Sequence, residues 1–95
     1  MKPSELAATR DQYHVLDVRE SVEWKSGHLA DARHLPLMKV AFAGDLPRDR
    51  PLAVMCRSGH RSGIAAGILR AKGYQVENVE GGIDAWRAAG LPVER

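Results

Sequence analysis

The sequence predicts an α/β domain built on a small, mainly parallel sheet. Short aliphatic or β-branched runs alternate with helix-like segments along the chain. Glycines stand where helices should stop, at Gly27, Gly73 and Gly90. Two polar clusters directly follow strand-like runs, which is where open α/β sheets build their sites.

The elements follow in order. Pro3-Ser4-Glu5-Leu6 reads as a helix start, with proline in the first turn and an acid near the positive helix end. His14 to Val18 is a buried-strand candidate. Ser21 to Lys25 is a short helix, with Ser21 as its expected N-cap and Gly27 closing it. Arg33-His34-Leu35 is a weak strand before Pro36. A helix is expected over Leu37 to Phe42, broken by Gly44 to Pro47. Leu52 to Met55 is the clearest strand. The helix after it is expected to begin near Arg61 or Ser62, with Ile64, Ala65, Ile68 and Leu69 as its apolar face. Gly63 and Gly67 are expected to let that helix approach the sheet closely. Gln75 to Val79 is another strand, and Ile83 to Ala89 a last helix.

The 95 residues make one domain, spanning 1–95, since compact domains usually take ~100–150. A net charge of +2, from 14 basic and 12 acidic residues, is too balanced to indicate nucleic acid or a membrane as partner. No apolar run reaches the ~18–20 residues that span a bilayer. The N-terminus lacks the apolar core of a signal peptide and the composition of a transit peptide, so a cytoplasmic location is expected. Cys56 is the only cysteine, which excludes an internal disulfide, and the spacings of structural zinc sites are absent. No metal or cofactor is expected, and the chain is expected to be a monomer.

The chemistry points to Cys56. It ends a strand and precedes a helix, across a short loop with Gly59 at its centre. Such a loop turns backbone N–H groups inward into an anion-binding nest, and the helix start adds partial positive charge. Arg57 and Arg61 add two full charges. All three effects favour thiolate over thiol and lower the Cys56 pKa. A free cysteine is most often a small buried hydrophobe. A core cysteine, however, does not call for a glycine turn, two arginines and a helix start around it. The expected site is therefore Cys56 as nucleophile, with Arg57, Ser58, Gly59, His60, Arg61 and Ser62 as the substrate cradle.

His60 is read as a solvent-facing loop residue rather than a base for Cys56. Asp17 and Arg19 are assigned to supporting the loop. For Asp17 two readings stand, partner of a loop arginine or ordinary strand-end acid. Arg19 is read as half of a structural ion pair in preference to a pocket wall. Trp24 and Trp86 are read as core or rim packing.

Four segments together resemble the single-domain members of the rhodanese family of sulfurtransferases. They are Leu16 to Glu20; Glu23 to Leu29, continuing through Ala32 to Leu35-Pro36; Cys56 to Ser62; and Glu80 to Trp86, with Gly90 and Pro92 beyond. The resemblance covers about Ser4 to Val93. It implies the rhodanese-like fold, with helices on both faces of the sheet, and a ping-pong reaction through a Cys56 persulfide. The implied donor is thiosulfate or a persulfide. The implied acceptor is cyanide or a thiol such as thioredoxin or glutathione, because no second cysteine is present to take the sulfur.

A group of cell-cycle tyrosine phosphatases resembles the same family but has five residues between cysteine and arginine. Here Arg57, Ser58, Gly59 and His60 alone separate Cys56 from Arg61, and the shorter loop favours sulfur over phosphate. Three further readings stand beside the enzyme. Arsenate reduction or phosphate-ester hydrolysis would use the same thiolate. A persulfide carrier would deliver sulfur to a partner protein in cofactor or tRNA thiolation. An inactive interaction module is opposed by the retained cysteine and its cationic loop.

Overall fold

The structure, a computed structural model, describes residues 1–95. Four parallel strands form one sheet in the order β2-β1-β3-β4. They are β1 (His14–Asp17), β2 (Arg33–His34), β3 (Leu52–Met55) and β4 (Val76–Asn78). Around them lie α1 (Pro3–Ala8), α2 (Ser21–Lys25), α3 (Leu37–Val40), α4 (His60–Ala71) and α5 (Gly82–Ala88), with a 3-10 turn at Arg10–Gln12. No helix is long and apolar enough to cross a membrane.

The pleat decides which residues meet which helices. Successive side chains alternate between faces, so Leu52, Val54 and Cys56 point to one side of β3 and Ala53 and Met55 to the other. The first set joins Leu16, Val18 and Val76 in a core closed by Val40 of α3 and by Ala65, Ala66 and Leu69 of α4. The second joins Val15 and Val79 in a core closed by Leu6 of α1 and by Ile83 and Trp86 of α5. The two-sided layering implied by the resemblance is therefore present. Two-residue periodicity alone places Cys56 on the α4 side.

Several sequence expectations shift. Glu20, not Ser21, is the N-cap of α2, and the Glu23 carboxylate accepts the Glu20 N–H at 2.9 Å. The helix after Cys56 starts at His60, because Gly59 takes a left-handed turn (φ 102°) and serves as its N-cap. The buried stripe of α4 is Ser62, Ala65, Ala66 and Leu69, a regular i, i+3, i+4, i+7 set, and Ile64 is instead half exposed. Gly63 lies beside Asn78 at the end of β4, where a Cβ would make an ordinary contact at 3.6 Å, and Gly67 faces outward. A Cβ on Gly67 would meet nothing within 4 Å, so it does not bring the helix to the sheet. α3 stops at Val40, before Phe42. Trp86 is core, as expected. Trp24 packs at the rim, stacked between His28 at 3.6 Å and His34 at 4.9 Å between ring centroids.

Two substitutions on α4 test this placement. Leu69→Ala empties a fully buried position and is expected to cost about 2–5 kcal/mol. Gly67→Ala fills open space on an exposed helix surface and is expected to stabilise by about 0.5–1 kcal/mol. Urea unfolding midpoints moving in opposite directions check both.

Candidate active site

Cys56 follows the last residue of β3, and the loop from Arg57 to Gly59 carries the chain into α4. The thiol sits at the bottom of that loop and is 1% exposed. The Gly59 N–H reaches Sγ at 3.1 Å, and the Ser62 hydroxyl lies 3.4 Å from it. The left-handed turn at Gly59 aims that N–H inward, and one turn of α4 brings Ser62 back over the sulfur.

Burial pushes the Cys56 thiol up. The Ser62 hydroxyl and the N–H groups of Ser62, Gly59 and Ser58 outweigh burial, and the thiol pKa is lowered. The expected direction is present, but its main cause is neutral donors rather than arginine charge.

The arginines are placed differently from expectation. Arg61 is committed to Glu23 of α2, with Nη1 and Nη2 donating to the two carboxylate oxygens at 2.7 and 2.8 Å. This bidentate pair holds the Glu23 carboxyl down at about 2, against 4.5 ordinarily, and raises Arg61. Arg61 therefore ties the loop to α2 and is not a free charge in the cradle. Arg57 is the exposed cation, 71% exposed in its side chain and 3.4 Å from Asp84. His60 is exposed in the first turn of α4, and the sulfur's hydrogen-bond donors are Gly59 and Ser62 instead.

Asp17 does not touch a loop arginine. It is fully buried and accepts from three donor groups of Arg19, the backbone N–H, Nε and Nη2, at 2.8–3.1 Å. Arg19 Nη2 also donates to the Gly27 carbonyl at 2.7 Å. The pair thus fixes the end of α2, and through α2 the position of Glu23. The support it gives the loop is indirect.

Four contributors escape the sequence reading. Glu23 is one. Asn78, at the end of β4, accepts from the Ser62 hydroxyl at 2.6 Å and donates to the Gly59 carbonyl at 3.2 Å. A hydroxyl has one proton, so Ser62 can serve Asn78 or the thiolate, not both. Asp84 faces Arg57, and its N–H holds the Arg57 carbonyl at 3.1 Å; the Ile83 N–H holds the Cys56 carbonyl at 2.8 Å. This close approach needs Gly82, whose Cβ would fall 2.3 Å from the Cys56 carbonyl oxygen at a φ of 56°. The available signal was that a site lies beyond the carboxyl end of every strand, β4 included.

A cleft of about 300 Å³ beside the loop is lined by Arg19, Glu23, Arg57, Asp84 and Arg87. A cavity of about 330 Å³ at the amino ends of β1 and β3 contains Arg10, His14 and Arg50 but no nucleophile. There Arg10 donates to the carbonyls of Tyr13 and Ala30, and Arg50 to that of Asp11.

Two outcomes are expected. Ser62→Ala raises the thiol titration followed by ultraviolet thiolate absorbance, without abolishing it, because the backbone donors stay. Glu23→Gln removes a carboxylate whose folded pKa is depressed. Its contribution is complete above about pH 4.5 and disappears as pH falls through about 2. The stability gap between wild type and Glu23→Gln should therefore close across that window in pH-resolved denaturation.

Comparison with known proteins identifies the family. A rhodanese-like domain model matches residues 2–89. A sulfurtransferase of Allochromatium vinosum is 39% identical over 90 residues, covering 93% of this chain and 83% of that one. The thiosulfate sulfurtransferase GlpE of Pseudomonas savastanoi is 38% identical over 89 residues, covering 90% and 84%. A rhodanese-related protein from Thermoplasma volcanium has a crystal structure that superposes with a TM-score of 0.95 at 35% identity, covering 99% and 95%. With a four-strand parallel sheet layered on both faces and a cysteine loop between strand and helix, the chain belongs to the rhodanese-like domain family.

Proposed function

We propose that the protein is a thiosulfate sulfurtransferase that works through a persulfide on Cys56. The observation that carries this reading is the thiol's setting, where N–H and O–H donors converge on Sγ and lower its pKa. In the first half-reaction the thiolate attacks the outer sulfur of thiosulfate. A new S–S bond forms, the old one breaks, and sulfite leaves with the electron pair. The donors that favoured the thiolate then hold the anionic persulfide, and the four-residue spacing leaves a ring suited to one bound sulfur atom. In the second half-reaction an acceptor nucleophile takes the outer sulfur and Cys56 departs as thiolate. The acceptor has to be external, since the chain has one cysteine. The relatives named thiosulfate sulfurtransferase support the choice of donor.

Arg57 is proposed to meet the donor's sulfonate end. It stands at the loop mouth, is exposed, and has only a loose ion pair to Asp84. Arg61 is proposed to act by position, through Glu23. A cytoplasmic sulfur carrier, delivering persulfide to a partner protein, needs the same intermediate. The absence of an internal resolving thiol favours neither role.

Intact-mass analysis tests the core of the reading. Thiosulfate should add one sulfur atom to the wild type and none to Cys56→Ser, which should stay folded and lose transfer to cyanide. Near-wild-type turnover by Cys56→Ser would end the proposal. Arg57→Ala should lower kcat/KM for thiosulfate about ten- to a hundredfold, as loss of a charge-assisted contact worth ~1.5–3 kcal/mol requires. Aryl phosphates should be hydrolysed negligibly in a side-by-side assay.

A further inference from the structure

The outer surface of α3 and α4 combines exposed apolar side chains with one sign of charge. Met38 and Phe42 are 83% and 86% exposed, and Ile64, in the second turn of α4, is 49% exposed. Met38 lies on α3 and Phe42 just beyond it, and α3 packs against α4, which carries Ile64. Ile64, Ile68 and Lys72 follow at i, i+4 along α4. Ile68 packs on the core that includes Val40 and Leu37, and the Lys72 ammonium bonds the carbonyls of Ala41 and Ala43. That ridge therefore faces α3. Ile64 continues it toward the active-site loop, and His60 stands one turn further. Gly67 keeps the outer side of α4 flat beside it.

The charge is segregated. Residues 32–44 and 51–76, which supply α3, the loop and α4, carry six of the 14 lysines and arginines and none of the 12 acids. Carboxylates from elsewhere reach only the margins, with Asp45 at Arg33, Glu23 at Arg61 and Asp84 at Arg57. Lys39 is exposed, and Arg70 and Lys72 donate to backbone carbonyls rather than to carboxylates. The small net charge of the chain hides this face.

We propose that the α3–α4 face docks a protein presenting an acidic, apolar surface around the thiol that takes sulfur from Cys56. The inference rests on the sulfur-transfer reading for the identity of the cargo. A second copy of the chain would bring like charges together and is disfavoured as occupant. An anionic bilayer fits the charge but supplies no thiol, whereas the face leads along α4 through His60, its first residue, to the loop. In the docked complex the acceptor thiolate attacks the outer sulfur of the Cys56 persulfide. An S–S bond forms on the acceptor, the bond to Cys56 breaks, and Cys56 leaves as thiolate.

The probe is a pair of amphipathic peptides, each with a leucine and phenylalanine stripe and one terminal cysteine, flanked by glutamates in one and lysines in the other. Binding is read by fluorescence anisotropy with serine replacing the cysteine. The glutamate peptide should bind at least about tenfold tighter than the lysine peptide, and more weakly as salt rises. Met38→Ser combined with Phe42→Ser, and separately Lys39→Glu, should each weaken it about tenfold. With the cysteine peptide as acceptor, kcat/KM should fall in parallel, while transfer from thiosulfate to cyanide stays at the wild-type rate. Equal binding of the two peptides, or unchanged binding by the variants, overturns the proposal. So does preference for phosphatidylglycerol vesicles over the peptide, or a dimer in sedimentation that the variants dissolve. A wild type that binds the glutamate peptide but transfers no sulfur to cyanide supports the docking face and fails the sulfur-transfer reading instead.

Discussion

The buried ion pair between Asp17 and Arg19 is the constraint on which the site's geometry depends. Asp17 ends β1, a central strand, and is fully buried, while Arg19 is 2% exposed. Two charges this deep are tolerable only because each is answered. The carboxylate accepts three donors, and the guanidinium also holds the Gly27 carbonyl. Removing one partner would leave a lone buried charge, a loss of about 3–5 kcal/mol in comparable cases. The pair also joins a strand end to a helix end. α2 therefore leaves the sheet at a fixed angle, and the Trp24 ring is seated between His28 and His34.

From that anchor a line of contacts runs to Cys56. α2 presents Glu23, Glu23 grips Arg61, and Arg61 fixes the first turn of α4. The same turn brings Ser62 to the sulfur. On the opposite side, the start of α5 pins the carbonyls of Cys56 and Arg57, which Gly82 alone permits. The loop is thus held from two sides by backbone and by paired charge. Its inward N–H groups are pre-oriented, and no reorganisation is needed when negative charge appears on sulfur.

This division of labour gives the two arginines different work. Sequence proximity suggests two equivalent charges around the thiolate. In the folded chain one is neutralised by a carboxylate 38 positions away, and the other stands at the mouth with a loose partner. What lowers the thiol pKa is mostly neutral, the Ser62 hydroxyl and three backbone N–H groups acting against burial. Exposed charge at the entrance and fixed dipoles at the floor are thus supplied by different residues.

The sequence by itself determined the alternation of strands and helices, the position of β3, the helix-ending glycines and Cys56 as the one candidate nucleophile. Those features are local. They follow from periodicity, from glycine's conformational freedom and from a single cysteine at a strand–helix junction. Even the face that Cys56 occupies is written in the two-residue period of Leu52, Val54 and Cys56. Only the tertiary structure decided the partners. Glu23, Asn78, Asp84 and Gly82 lie far from Cys56 along the chain, and no local pattern says which strand end or helix start will meet the loop. The same holds for α4, where Ile64 fits an apolar stripe by composition but the buried stripe runs through Ser62. The helix rotates to bring that hydroxyl to the sulfur and to Asn78. Pairing between distant segments is a property of packing, and packing is settled only when the whole sheet is assembled.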